Sequence, residues 1–249
     1  MYKNRKWLYN KYINEKLSTF QIDKLCGVSP PSIRYWLVKY NIPCRSRSEA
    51  RHLATDNHCN LSNEAREWID GELLGDGSLH KTSPYSAIFT YSSKYLEYIE
   101  YVRNTLKSFG IEQSGEIYKY KDKKHGAISY NCNSNSYPEL MVIYNRWYPY
   151  NKKIIPRDIK ITPLTLRQHY IGDGSLTHSK KQKSYIRLAT NGFKISDVNW
   201  LIKQLNKLGF KANRQHNNNV IRFLDCFTRD FLEYIGECPV KCYQYKWAI

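Results

Sequence analysis

The chain has 249 residues, 41% of them hydrophobic, and a formal net charge of +17. This hydrophobic content is enough for a folded core, which argues against global disorder, and no apolar run approaches the ~18 residues of a membrane span. The basic residues are concentrated at the two ends: Lys plus Arg outnumber Asp plus Glu by 11 to 4 in residues 1–60 and by 18 to 7 in 151–249, against 10 to 11 in 61–150. Such a distribution predicts a polyanionic partner, which is usually nucleic acid.

Seven cysteines are dispersed along the chain and form no paired Cys-x-x-Cys set. Their odd number predicts free thiols in a reducing compartment. The N-terminal segment MYKNRKW has no apolar stretch, so an intracellular rather than a secreted protein is expected. Cytoplasm, nucleoid and organelle stay open at this stage.

The N-terminal part predicts three short helices. A first helix is expected at 3–15, where apolar residues recur at helical spacing. Ser18 and Gln21 form a capping-box pattern at the start of a second helix, and Gly27 ends it. Ser29-Pro30-Pro31 then begins a third helix, because prolines are tolerated in the first turn.

A helix, a glycine-containing turn and a second helix with polar and basic residues make the pattern of a helix-turn-helix module. The stretch at 17–50 resembles the small helix-turn-helix modules of phage and mobile-element proteins. We expect residues 1–45 to bind DNA and residues 46–60 to be a basic linker that lies on phosphates; a three-helix structural cap is the alternative. The predicted contacts are Ser29, Ser32 and Arg34 to bases, Tyr35 and Lys39 nearer phosphates, and Arg45 and Arg47 beside the linker.

The remaining residues contain an internal repeat. The segments IDGELLGDGSL at 69–79 and LRQHYIGDGSL at 166–176 each form an apolar helix that ends in Gly-Asp-Gly-Ser-Leu. Their acids, Asp76 and Asp173, are 97 residues apart. One such turn is a weak signal, but the order of elements around it is also repeated.

In each copy the motif is followed by a strand-like segment and then by a helix that a glycine stops, Gly110 in the first copy and Gly209 in the second. Ser196 is the expected cap of that helix in the second copy. Two short strands and a closing helix follow in both copies. The sequence therefore predicts an α+β fold of two αββαββα units, at 61–157 and 158–249, preceded by the helical module.

These two copies resemble the halves of a single-chain LAGLIDADG homing endonuclease. The nine-residue motif falls on 69–77 and 166–174, and the Lys-Lys…Ile-Pro segment that starts at Lys152 is similar to one branch of the family. The resemblance implies a monomeric saddle of two sheets on a long asymmetric site in double-stranded DNA. It also implies Mg²⁺ and cleavage across the minor groove that leaves short 3′ overhangs. The sequence departs from the family pattern at Gln168, where the first copy has a glycine, and at Glu72, where an apolar residue is usual.

The motif acids can account for cutting. Phosphodiester hydrolysis needs a metal that activates water and neutralises charge on the leaving oxygen, and magnesium accepts one or two carboxylates and keeps several waters. The resemblance implies a metal site at Asp76 and Asp173 with the adjoining Gly75 and Gly172. Two ordinary Asp-Gly turns are the alternative interpretation.

The family also supplies one basic residue per half, and the resemblance places these catalytic lysines at Lys153 and Lys246. Lys153 lies 76 residues beyond Gly77, and Lys246 lies 72 residues beyond Gly174. Lys152 remains an alternative to Lys153 as the catalytic lysine of the first half. Contact with phosphate is the alternative role for both Lys153 and Lys246.

The strands should place alternate side chains against DNA, where Arg can read guanine and Asn adenine. A one-residue slip would exchange the two faces, so the outward face stays open. The candidate DNA contacts of the two units are Lys119, Lys121, Lys152, Arg187, Lys211, Asn213 and Arg222.

The favoured function is site-specific double-strand cleavage by a homing endonuclease of a mobile genetic element. A repressor or an RNA-splicing maturase on the same scaffold, without cleavage, is the alternative. Loss of a motif acid would have favoured that alternative, and both acids are present. A third possibility is a nucleic-acid-binding structural protein, which would predict that Asp76 and Asp173 lie far apart.

Overall fold

The computed structural model describes residues 1–54, 57–124, 126–178 and 184–249. The chain divides into two units, one of residues 1–57 and 83–85 and one of residues 58–82 and 86–249. Within the described ranges, no helix is both long and apolar enough to cross a membrane.

The first unit is helical. Its elements are α1 (Arg5–Tyr9), a π-helical segment (Asn10–Asn14), α2 (Thr19–Cys26), α3 (Pro30–Lys39) and α4 (Arg47–Ala54). The capping box predicted for α2 is present, since the Ser18 hydroxyl accepts from the Gln21 backbone and the Gln21 side chain accepts from the Ser18 backbone. Gly27 ends α2 with a φ of 64°, a left-handed conformation that suits glycine. A small core of six residues holds the unit together: Leu8, Tyr12, Ile22, Ile33, Leu37 and Ile42.

The segment expected as a linker at 46–60 contains the helix α4. The Ser46 hydroxyl accepts from the backbone N–H of Glu49 at 3.1 Å, which is a local start signal for that helix. This helix was not predicted from the sequence, because its apolar residues are only Ala50, Leu53 and Ala54, a stripe too short to stand out among polar and basic neighbours.

The second unit repeats one order of elements twice, as the sequence predicted. The first half contains α5 (Asn63–Leu74), β1 (Ser78–Ser83), β2 (Ser86–Ser93), α6 (Leu96–Ser108), β3 (Tyr118–Lys121), β4 (Ile128–Asn133) and α7 (Pro138–Trp147). The second half contains α8 (Pro163–Asp173), β5 (Gly174–Thr177), β6 (Tyr185–Leu188), α9 (Ile195–Lys207), β7 (Ala212–Gln215), β8 (Val220–Phe223) and α10 (Thr228–Ile235).

The two sheets have the same topology. Their strand orders are β1-β2-β4-β3 and β5-β6-β8-β7, and the pairings recorded between β2 and β4, β3 and β4, and among β5 to β8 are antiparallel. The predicted α+β fold of two αββαββα units is thereby confirmed. The second unit has a hydrophobic core that runs through both halves and includes Trp68, Phe89, Trp147, Phe223 and Phe231.

Glycines end the central helices as expected. Gly110 after α6 and Gly209 after α9 have φ values of 75° and 94°, which side chains rarely tolerate. The expected cap at Ser196 is wrong, because α9 begins at Ile195 with Lys194 in the cap position and no side-chain cap bond. The backbone of Lys194 is extended and its carbonyl accepts from the backbone N–H groups of Asp197 and Val198, so the helix begins one residue before Ser196.

The two motif helices, α5 and α8, pack against each other. A Cβ added at Gly71 would lie 2.6 Å from the carbonyl oxygen of Thr165 and 2.8 Å from the Cβ of Gln168. The larger residue of the second copy thus fills the space that the glycine of the first copy leaves. The departure at Gln168 therefore keeps the close helix packing.

Candidate active site

The C-terminal ends of the two motif helices meet backbone to backbone. A Cβ at Gly172 would lie 3.0 Å from the backbone nitrogen of Asp76, and a Cβ at Gly75 would lie 3.3 Å from the Cα of Gly172. Since consecutive Cα atoms are ~3.8 Å apart, the Cα atoms of Asp76 and Asp173 lie within about 10 Å of each other. The distant acids that the alternative of a structural protein would predict are therefore not observed.

Neither motif carboxylate has a hydrogen-bond or ion-pair partner among the described residues. Asp76 keeps an exposed side chain and Asp173 a half-buried one. Within the described ranges, no group of three or more His, Cys, Asp or Glu side chains could enclose a metal ion. The pair is thus an open site with two carboxylates, unlike a closed structural metal centre.

A lysine lies beside each motif helix end. The Lys153 ammonium donates to the carbonyl oxygens of Gly77 at 3.0 Å and Gly75 at 3.5 Å. The Lys246 ammonium donates to the carbonyl oxygens of Ile171 at 2.5 Å and Gly172 at 3.2 Å. The two ammonium groups therefore occupy corresponding positions, where helix ends leave carbonyl groups without partners and favour positive charge.

Lys152 is exposed, whereas Lys153 is partly buried and turned toward the motif. The structure thus places Lys153, and not Lys152, at the first motif, where its strongest attraction is to Asp173, while that of Lys246 is to Asp76. Both expected metal-binding carbonyls, of Gly75 and Gly172, face an ammonium group in this arrangement. Their part in metal binding stays a prediction.

The four charged groups perturb one another. Desolvation by the surrounding protein raises the pKa of Asp173 to about 6, and the nearby charge of Asp76 adds to this effect. Desolvation also raises the pKa of Asp76, while Lys246 and Lys153 act in the opposite sense. Desolvation lowers the pKa of Lys153 and of Lys246 to about 8, against the attraction of both acids. Such perturbed and mutually coupled groups are typical of functional sites.

The donor set fits a divalent cation. Two adjacent carboxylates repel each other, which is one reason that the Asp173 pKa is raised, and a cation between them would remove that repulsion. Oxygen donors of this number suit Mg²⁺, which completes its coordination with water and phosphate oxygens.

Two buried ionisable residues lie one helical turn before the acids, and the sequence did not identify them as part of the site. Glu72 and His169 are both completely buried and precede Asp76 and Asp173 by four residues each. The Tyr98 hydroxyl donates to Glu72 Oε1 at 2.7 Å, and Oε2 has no partner. Burial raises the pKa of Glu72 to about 8 and lowers that of His169 to about 3. The spacing of 97 residues between them, equal to that of the acids, was the signal available in the sequence.

The model of the LAGLIDADG DNA endonuclease family matches residues 66–231, which include both motif helices. This chain belongs to that family. An uncharacterised protein of Methanocaldococcus jannaschii is 31% identical over 221 residues, which are 86% of this chain and 84% of that protein. The solved structure of the homing endonuclease I-WcaI bound to its DNA recognition sequence superposes with a TM-score of 0.67 at 20% identity, over 84% of this chain and 97% of that chain. The family that the sequence motifs predicted is thereby confirmed, and the I-WcaI match shows the shared fold.

The first sheet of this LAGLIDADG chain turns one face toward helices α5 and α6. Phe89 of β2 lies 6.1 Å from Trp68, and Tyr91 lies 5.3 Å from Tyr98, measured between ring centroids. Ser93 follows on the same face and pairs with Tyr130, which in turn pairs with Lys119.

Lys119 and its alternate neighbour Lys121 therefore lie on the helix side of the sheet and not on its open face, so any contact with DNA from this sheet's open face has to come from other residues. Tyr118 and Tyr120 are the β3 residues on the open face, since they pair with Asn131 and Ser129. The prediction chose the lysines instead of the neighbouring tyrosines because all four β3 side chains are exposed. No apolar alternation marks the buried face of such an edge strand.

In the second sheet the predicted residues lie on the open face. The helix side is fixed by Phe223, whose ring centroid is 4.6 Å from that of Phe231 in α10. Arg222 alternates with Phe223 and pairs with both Arg187 and Asn213 across the sheet. Lys211 is exposed next to the start of β7, where its carbonyl accepts from the Leu224 backbone at 2.9 Å.

In the N-terminal module, α3 exposes Arg34, Tyr35 and Lys39, and the Lys39 ammonium lies 4.4 Å from the Trp36 ring centroid. Ser29 is exposed at the cap and bonds at 3.0 Å to the half-buried Ser32. The other module contacts that were predicted are Arg47, which is exposed, and Arg45, which is not.

Arg45 is engaged inside the module. Its guanidinium donates to the carbonyl oxygens of Leu17, at 2.8 Å, and of Tyr12, and lies 4.0 Å from the Tyr12 ring centroid. Its prediction as a DNA contact therefore needs correction, because these bonds hold the guanidinium in a structural position.

Proposed function

We propose that this LAGLIDADG protein is a site-specific endonuclease that makes double-strand breaks in DNA with the help of Mg²⁺. The observation that carries the proposal is the meeting of Asp76 and Asp173 at the ends of two packed helices, each with a lysine of its own half beside it. The two carboxylates and two lysines would provide one acid and one lysine for each DNA strand.

Asp76 and Asp173 would hold the metal. When bound, a divalent cation activates water and neutralises the charge that develops on the leaving oxygen. The carboxylates are suited to this because no other side chain among the described residues occupies them. Their shared position at the helix ends sets them at the same depth, as cleavage of both strands from one groove requires.

Lys153 and Lys246 would stabilise the charge that develops at the phosphate or hold the attacking water. Each ammonium is already held by carbonyl oxygens of its motif, two for Lys153 and three for Lys246. A donor that is held in place before the reaction costs no reorganisation in the transition state. A pKa of about 8 lets each lysine keep its proton at pH 7.

The partner would be double-stranded DNA with a long, asymmetric target, bound by one protein molecule. The support is that one chain supplies both motif helices and both sheets, and that the similarly folded I-WcaI was solved bound to its DNA recognition sequence. The two sheets differ in sequence, so a symmetric target is not expected. The helical module of residues 1–45 would add contacts through the exposed side of α3.

The test begins with selection of cleaved duplexes from a randomised library. The selected site is then cloned into a plasmid. We expect the wild-type protein to linearise this plasmid with Mg²⁺ and to leave it intact in EDTA. Asp76→Asn and Asp173→Asn should bind the site with near wild-type affinity and fail to linearise it. Glu237→Gln, which removes an exposed carboxylate of the second half, is the control and should cut normally.

Two results would contradict the proposal. Binding of a specific site without any cleavage in Mg²⁺ or Mn²⁺ would mark a repressor or a maturase on the same scaffold. Cleavage by Asp76→Asn at the wild-type rate would show that the assignment of the acids is wrong.

A further inference from the structure

The open face of the first sheet carries no charged side chain in the strands that the structure describes. Cross-strand pairing puts Thr90 opposite Asn133, Ser92 opposite Asn131, and Tyr118 opposite Asn131. Ser78 joins this face through a 2.7 Å hydrogen bond to the Thr90 hydroxyl. Every Lys of β1 and β3 falls on the other side, because side chains alternate along a strand. This face therefore offers amide, hydroxyl and phenol groups, together with the imidazole of His80, which lies 3.3 Å from the Ser78 hydroxyl.

The open face of the second sheet has a different chemistry. One row crosses all four strands, since Ser175 pairs with Arg187, Arg187 with Arg222, and Arg222 with Asn213. Two arginines thus stand directly opposite each other in neighbouring strands. Like charges in that position destabilise a sheet, so folding alone gives no reason for the pair.

The two arginines are also incompletely satisfied within the protein. Arg187 Nε is buried and has no hydrogen-bond partner. Arg222 donates to Asp225 at 3.2 Å and its guanidinium lies 4.0 Å from the Tyr185 ring centroid, which holds its plane. An oriented guanidinium beside an unpaired one is an arrangement that an acceptor-rich ligand would complete.

We propose that the two sheets read their half-sites by different chemistry: Arg187 and Arg222 of the second sheet, with Asn213 beside them, recognise guanine next to adenine, whereas the first sheet reads its half-site through neutral groups. This inference rests on the proposed DNA target. Guanine presents O6 and N7 to the planar fork of Arg, and adenine presents N6 and N7 to Asn. A contact to a base carries sequence preference, whereas a contact to phosphate carries only salt dependence.

Binding selection on randomised duplexes in EDTA, with the full-length protein, separates base reading from cutting. For Arg187→Gln and Arg222→Gln we expect the preference for guanine to fall on the order of 10- to 100-fold at positions of one half-site. Arg187→Lys should lose the same preference while it keeps the wild-type salt dependence, because it retains the charge and lacks the fork. Arg214→Gln is the matched control: it removes the same charge from the same sheet, but Arg214 pairs with Ile221 on the helix side.

For the first sheet we expect neutral side chains, and not charged ones, to carry the base preference. Asn131→Ala and Asn133→Ala should relax base preference in the other half-site and leave the slope of log affinity against log salt unchanged. Lys119→Gln, on the helix side of that sheet, should leave the base preference unchanged. Thermal unfolding of every variant separates lost recognition from lost folding.

A uniform loss of affinity on all duplexes in Arg187→Gln and Arg222→Gln, with a salt slope reduced by about one, would identify phosphate contacts and overturn the inference. So would an unchanged guanine preference in both variants. A protein that selects a sequence but never cuts it would refute the proposed nuclease while these specificity profiles still decide the inference. A protein that cuts, and whose arginine variants keep the wild-type profile, would refute the inference alone.

Discussion

The wild-type protein should become less stable as the pH rises, and the substitution Glu72→Gln should prevent this loss of stability. Glu72 is completely buried in α5, with Tyr98 as a hydrogen-bond donor to one oxygen and no partner for the other. Burial, and then the charge of Asp76, raises its pKa from 4.5 to about 8. The folded protein therefore favours the neutral acid, which a glutamine imitates in shape and charge.

The sign and size follow from proton linkage. Because the folded-state pKa is raised, the folded protein binds more protons than the unfolded chain between about pH 4.5 and pH 8, so stability is present below that window and is lost as the pH rises through it. Each pKa unit corresponds to ~1.4 kcal/mol. Between pH 5 and pH 8.5 the wild-type protein should lose about 4 kcal/mol relative to Glu72→Gln.

This difference is measured by urea unfolding of both proteins at several pH values. The fluorescence of the buried Trp68 and Trp147 reports the transition. The difference between the two proteins is compared, and not the absolute stability, because groups that do not interact with Glu72 titrate equally in both. Tyr98 can still donate to the Gln carbonyl oxygen, so the fold is retained. A difference in unfolding free energy that stays constant from pH 5 to pH 8.5 would refute the argument that Glu72 is neutral in the folded protein.

Three further perturbations test the site and the module. Lys153→Met should lower turnover on the order of 10²-fold or more with a smaller change in affinity, and the exposed Lys152→Met serves as its control in single-turnover cleavage; equal effects of the two would mark both as phosphate contacts. Deletion of residues 1–45 should weaken or broaden recognition in the binding selection and leave a soluble, cutting core, whereas an insoluble product would favour the structural-cap interpretation. Gly172→Ala should cost about 1–3 kcal/mol in urea unfolding, because its Cβ would lie 3.0 Å from the backbone of Asp76, while Gly192→Ala, with no atom within 4 Å of the added Cβ, should unfold like the wild type.

Local patterns in the sequence were sufficient for most of the secondary structure. The capping box of Ser18 and Gln21 and the stop glycines at 110 and 209 act within one or two turns of chain, so their effects do not depend on distant packing. The repeat of Gly-Asp-Gly-Ser-Leu predicted the two αββαββα units and the family. It also identified Asp76 and Asp173 as a pair, since equal spacing in two copies implies equal places in two similar folds.

Only the tertiary structure decided which side chains of a strand lie on the open face of the sheet. Lys119 and Lys121 alternate with Tyr118 and Tyr120 in a segment without apolar residues to mark the core side. Pairing with β4 selects the tyrosines for the open face. In the second sheet the apolar Phe223, which alternates with Arg222, marks the core side, so Arg222, Arg187 and Asn213 share the open face.

Long-range packing likewise decided which charged groups belong to the site. Lys152 and Lys153 are adjacent and chemically identical in the sequence, and only the path of the chain after α7 brings Lys153 to the carbonyl groups of the first motif. Glu72 and His169 show no local sign of burial, because a polar residue in a helix is usually exposed. They become buried and strongly perturbed because α5 and α8 pack against each other, and small residues in the contact allow a close approach. The sequence thus determined which residues are repeated. The contact between the two copies determined which of them are buried and how far their pKa values are shifted.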